Sequence, residues 1–127
     1  MNRKQILYVA RREAPDTKDI LNILSDNFDV CVVYSQREVE ERMGARKFEG
    51  VFMSHVIMPN GKIIQEGSYY ETALSIARTV REKSIPLVVM VDTPQQNTDF
   101  TALGAKVIEK PSFPDEYLKL ADEVFKR

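Results

Sequence analysis

The chain has 127 residues, 43% hydrophobic and 29% charged, the proportions of one ordinary globular domain. Its 18 Lys and Arg against 19 Asp and Glu leave a formal net charge of −1, which speaks against a nucleic-acid binder and its basic excess. One Cys and one His exclude an internal disulfide and a Cys/His zinc cluster, and the unpaired thiol points to a reducing, cytoplasmic setting.

The first apolar run, residues 6–10, follows a polar opening and is too short for a signal-peptide core or a membrane span. Residues 6–9 of it read as a strand buried on both faces. Beyond the polar break at 11–15, Ile20, Leu21, Ile23, Leu24 and Phe28 have helical spacing, with Asp16 or Thr17 as the cap. Residues 30–34 form a second strand. Cys31 lies inside its apolar run, which marks a buried structural thiol rather than a nucleophile paired with His55. Residues 35–47 form a weaker helix with Ser35 as cap, Val39 and Met43 four apart, and a solvated charged face at 37–42.

A third strand runs from residue 50 to about 56, and Met58-Pro59-Asn60-Gly61 is a turn, because Pro removes a donor and Asn-Gly favours positive φ. The spacing of Tyr69, Ala73, Ile76, Ala77 and Val80 predicts a helix over 69–83. Residues 87–91 are the most hydrophobic run and the best central strand. A short helix over 94–103 ends at Gly104, which suits the residue just past a helix end. Residues 106–109 are a fifth strand, stopped by Lys110-Pro111, and Tyr117, Leu118, Ala121, Val124 and Phe125 carry the last helix.

Five strands, each followed by a helix, give an α/β fold: a single doubly wound five-stranded parallel sheet with helices on both faces, one domain over 1–127. Such folds bind ligands outside the carboxyl ends of the strands. That edge holds residues 10–13, 54–60, 92–94 and 110–111.

Val56-Ile57-Met58-Pro59-Asn60 after the third strand, Leu103-Gly104-Ala105 before the fifth, and Lys110-Pro111 with Phe113 after it form an ordered set. With Ile6-Leu7-Tyr8-Val9 as first strand, this set resembles the receiver domains of two-component response regulators, a flavodoxin-like (βα)5 family, over essentially the whole chain. The resemblance implies an Mg²⁺ site built on two acids after the first strand. It implies a phosphoacceptor Asp ending the third strand, a Thr or Ser ending the fourth, and a Lys before a proline after the fifth. Here the acid pair falls on Ala10 and Arg11, and the phosphoacceptor falls on His55. The Thr/Ser position falls on Val91 or Asp92, with Thr93 close by, and the switch aromatic on Val107; Lys110 alone survives.

Mg²⁺ needs hard carboxylate oxygens, and Ala10 with Arg11 offers none. An acyl phosphate needs a carboxylate nucleophile beside that metal, and His55 is not one. Phosphorylation of the family type is therefore not expected, a metal held by His55, Asp92 and Glu13 is not demanded by the spacing, and no cofactor or metal is expected. Arg11, Arg12 and Lys110 can make the pocket basic, with Arg11 standing in for the metal's charge. It would pair internally with Asp92 or Glu13, the preferred reading, or hold an anion.

Two relatives of this architecture are excluded. A vitamin B12 module needs Gly three residues after its His, where Met58 stands, and a flavin site needs a Ser/Thr/Gly-rich loop where residues 10–15 have no glycine. The segment 61–67, with Ile63 and Ile64, looks longer than in family members, and it either folds down as a lid or meets a partner.

The expectation is an atypical, phosphorylation-independent receiver (a pseudo-receiver), not an enzyme and without catalytic residues, acting as a protein-interaction module in bacterial-type signalling. The resemblance implies a signalling partner on the face of the fourth helix, fifth strand and fifth helix, with Lys106, Phe113 and Tyr117 as contributors. A second copy of the chain is a candidate partner; nucleic acid and membrane are not. The competing reading is a small-anion or metabolite sensor using the basic pocket.

Overall fold

A computed structural model of the chain describes residues 3–11, 17–57, 66–109 and 114–125. The strands are β1 (Gln5–Val9), β2 (Asp29–Val33), β3 (Gly50–Ser54), β4 (Leu87–Val91) and β5 (Lys106–Glu109). Between and after them lie α1 (Thr17–Ser25), α2 (Gln36–Ala45), α3 (Glu66–Glu82), α4 (Pro94–Ala102) and α5 (Pro114–Phe125). All pairings are parallel, in the order β2-β1-β3-β4-β5. The order reverses between β1 and β3, so the switch-point crevice opens beyond their carboxyl ends.

Alternation along the strands divides the core in two. Leu7, Val9, Val51, Met53, Val89 and Val91 face Val39 of α2, Ile76 and Val80 of α3, and Phe100 of α4. Ile6, Tyr8, Phe52, Val88 and Met90 face Ile20 and Leu24 of α1 and Tyr117, Ala121 and Phe125 of α5. Both faces of the central strands are covered, which is why β1, β3 and β4 read as unbroken apolar runs. Each such Val or Leu stabilises the fold by about 1.5–3 kcal/mol, so the central strands hold the crevice rigidly.

Several expectations about local structure are corrected. β3 stops at Ser54 rather than near residue 56, because the chain leaves the sheet there and the Ile57 amide bonds instead to the Tyr69 carbonyl. Cys31 is half-buried, not buried, since β2 is an edge strand. Thr17 is the first described residue of α1, and its hydroxyl donates to the Arg11 carbonyl at 2.7 Å, tying that helix to the end of β1. Asp16 lies outside the described residues. α3 begins at Glu66, earlier than the spacing of its apolar face indicates.

Two other expectations hold. Ser35 caps α2 by accepting from the Glu38 amide, and Gly104 follows α4 with φ +90, a conformation that favours glycine. Gly50 has a different constraint: a Cβ there would enter the ring of Phe125.

Candidate functional site

The crevice beyond β1, β3 and β4 is a cavity of about 380 Å³ lined by Arg11, His55, Val56, Tyr69, Tyr70, Asp92 and Gln96. Three of the positions singled out in the sequence, Arg11, His55 and Asp92, therefore meet in one place. Ala10 underlies them, fully buried against the α1–α5 side of the core. Arg12, Glu13, Lys110 and Phe113 lie outside the described residues, as does most of the 61–67 segment.

His55 follows directly on the last residue of β3, and its side chain is only 6% exposed. Its Nε2 lies 3.1 Å from Oδ2 of Asp92, and its Nδ1 lies 3.2 Å from the Met90 carbonyl oxygen. A carbonyl and an ionised carboxylate can only accept, so both bonds form together only when each ring nitrogen carries a proton. The ring thus faces an oxygen atom on each side, and its contact with Asp92 is an ion pair when the imidazole is protonated. Asp92, by contrast, is 54% exposed and belongs half to solvent.

The expected internal pair between Arg11 and Asp92 is absent, and the sheet order explains it. β4 lies beside β3, so the residue after β4 meets the residue after β3. Arg11 follows β1 on the opposite side of β3. Asp92 pairs with His55 instead, and Arg11 is exposed with no ion pair to a described acid.

Thr93 also has a different task from the one its position suggested. It is the N-cap of α4, accepting from the Gln96 amide at 3.2 Å, while the Gln96 side chain accepts from the Asp92 and Thr93 amides. This capping box fixes the turn that carries Asp92. Val91 is buried in the core.

The other wall was not legible as part of the site. Tyr70 donates to Oδ2 of Asp99 at 2.6 Å, and its ring meets Phe100 edge-on with centroids 5.8 Å apart. Burial, the hydrogen bond to Asp99 and the Asp99 charge together hold the Tyr70 hydroxyl well above its usual titration range. The Thr93–Gln96 spacing was a readable capping signal; nothing in the sequence marked Tyr70 and Asp99 as partners.

On the flank, Lys106 is exposed, but Tyr117 is 6% exposed and packs its ring edge-on against Phe52, at 6.3 Å between centroids. It is a core residue and is withdrawn from the candidate partner face. The residues beside Lys106 around a cavity of about 480 Å³ are Leu120, Glu123 and Val124.

No family model matches the sequence, and no curated protein matches it. Solved structures do. The Francisella response regulator 1452 receiver domain superposes with a TM-score of 0.75 at 15% identity, over 98% of each chain. The fold is the receiver fold. A two-component response regulator from Clostridium difficile gives 0.74 at 15% identity, again over 98% of each chain. The receiver domain of a Pseudomonas aeruginosa sensor histidine kinase gives 0.73 at 13% identity, over 98% of this chain and 99% of that one. That neighbour has a magnesium ion coordinated in its active-site cleft.

The donor set among the described residues does not fit such an ion. The cleft presents a cation at Arg11 and an imidazole already bonded to its one described carboxylate, Asp92, and the buried Ala10 beneath them carries no side-chain oxygen. Among the described residues no group of three or more His, Cys, Asp or Glu side chains could hold a metal. No helix among them is long and apolar enough to cross a membrane.

Proposed function

We propose that the chain is an atypical receiver that works without phosphorylation, as a protein-interaction module in cytoplasmic two-component-type signalling, and catalyses no reaction of its own. The observation that carries this reading is the His55–Asp92 pair. It fills the point where a receiver's phosphoacceptor and metal would meet, with a nitrogen base already bonded on both sides. A receiver of the usual kind has an acidic cleft that a divalent cation neutralises. Here His55 engages Asp92 from within the chain, so no metal is called for and one conformation is favoured.

Partner binding is assigned to the face of α4, β5 and α5, as the receiver resemblance implies. Lys106 supplies a charge there, and Leu120 and Val124, half-buried beside it, supply apolar area in place of Tyr117. A second copy of the chain is one candidate partner for this face.

A second reading, a small-anion or metabolite sensor, is favoured by one observation: Arg11 is exposed at the cleft without a described acid partner. Amide chemical shifts separate the two. Mg²⁺ with beryllofluoride is expected to leave Val56, Asp92 and Gln96 unmoved, and a concerted shift there overturns the main reading. Phosphate alone at millimolar concentration is expected to do nothing; a shift confined to the cleft establishes the sensor instead.

A further inference from the structure

At the opposite end of the sheet, where β3 and β4 begin, the chain forms a second cavity, of about 420 Å³, unrelated to the His55 crevice. Its lining divides cleanly. Met43, Phe48 and Ile85 are apolar, and Arg46, Lys47 and Lys83 are cations, with no acid among them. None of the three cations forms an ion pair with a described acid.

Two bland explanations fall short. Cations do favour helix C-termini, and α2 and α3 both end here. Each helix end supplies only about half a negative charge, roughly one in total against three positive charges. Solvation of a flexible basic surface is the other explanation, but one of the three cations rests on an aromatic ring and the backbone beside another is constrained. The Arg46 guanidinium lies over the Phe48 ring at 4.9 Å, which orients its N–H groups as a fork. Lys83 and Ile85 flank Ser84, whose φ of 58 is a left-handed conformation for a residue with a side chain. The turn is held by bonds from the Ser84 amide to the Arg81 carbonyl and from the Ile85 amide to the Val80 carbonyl.

We infer that this cavity is a binding site for a small organic anion, an aromatic or aliphatic body carrying a phosphate-type dianion. The body lies on Met43 and Ile85, and the charge meets Arg46, Lys47 and Lys83. The volume lies in the range of small-molecule sites, and the residual charge of about +2 matches a dianion. A bare inorganic anion leaves the apolar floor uncovered, and a neutral apolar compound leaves the cations unmatched.

The probes are phenyl phosphate, inorganic phosphate and benzyl alcohol, each titrated against the labelled protein by amide shifts. Phenyl phosphate is expected to move the amides of Lys47, Phe48, Lys83 and Ile85 and to bind about tenfold more tightly than either of the others, as burial of one ring face or one charge-assisted bond provides. Lys47→Glu and Lys83→Glu are each expected to weaken it about tenfold, whereas Lys106→Glu, on the other flank, leaves it unchanged. All three substitutions are at exposed positions and spare the core. Absence of these shifts at about 10 mM, a weak affinity typical of non-specific contact, overturns the inference. So does equal affinity for inorganic phosphate, or indifference to both charge reversals.

Discussion

Removing the carboxylate of Asp92 tests the pair at the centre of the crevice. Asp92→Ala leaves Nε2 of a ring that is 6% exposed without its acceptor. Breaking a fully buried ion pair costs about 3–5 kcal/mol, and breaking an exposed one about 0.2–1 kcal/mol. This pair has one end in the core and the other 54% exposed, so water can reach the place the carboxylate leaves. The cost is therefore set near the lower range, at about 1 kcal/mol. Asp92→Asn keeps an oxygen acceptor and loses the charge, and about half that cost is expected. Urea unfolding at low salt reads both values as a shift in midpoint at constant slope. Repeating it at about 1 M salt shrinks the Asp92→Ala deficit, because screening reaches the exposed end. A deficit below about 0.3 kcal/mol at low salt, within the scatter of ordinary surface substitutions, would refute the reasoning.

Gly50→Ala places a methyl group inside the Phe125 ring; overpacking costs about 1–3 kcal/mol and outweighs the gain of about 0.4–1 kcal/mol from a stiffer unfolded chain. Thermal unfolding checks it, and Phe125→Leu in the same chain is expected to recover part of the loss. Thr93→Ala removes the cap of α4 and costs about 1 kcal/mol by urea unfolding, while Thr93→Ser restores it. Tyr70 ionises above the ordinary tyrosine range in the folded protein, so its contribution to stability is complete at neutral pH and is lost as pH rises past that range. In a phenolate absorbance titration, Tyr70→Phe is expected to remove one transition lying above the ordinary tyrosine range.

Sequence periodicity located the ten elements of the described residues because parallel strands covered on both faces leave long apolar runs, as at 87–91, between amphipathic helices. Element ends were harder. β3 looked longer than it is because Val56 and Ile57 continue its apolar run, although Ile57 bonds to the start of α3 rather than to a strand. One wall of the crevice, with Arg11, His55 and Asp92, was also legible, since the carboxyl ends of the strands must lie together; the wall with Tyr69, Tyr70 and Gln96 was not. Nor were the pairings. Which cation Asp92 takes depends on strand order, and β3 standing between β1 and β4 decides it for His55 over Arg11. Tyr117 was misplaced for a related reason: at helical spacing it belongs to the same stripe as Ala121 and Phe125, which turns inward. The Tyr70–Asp99 bond joins residues 29 apart in the chain, on two different helices, and leaves no local trace.

The central claim is that the crevice is closed to phosphoryl transfer by its own ion pair. Intact-mass analysis after incubation with acetyl phosphate and Mg²⁺ tests it most directly. An unmodified native chain is expected. A stoichiometric phosphoryl adduct mapping to the crevice, on His55 or on Asp92, would contradict it.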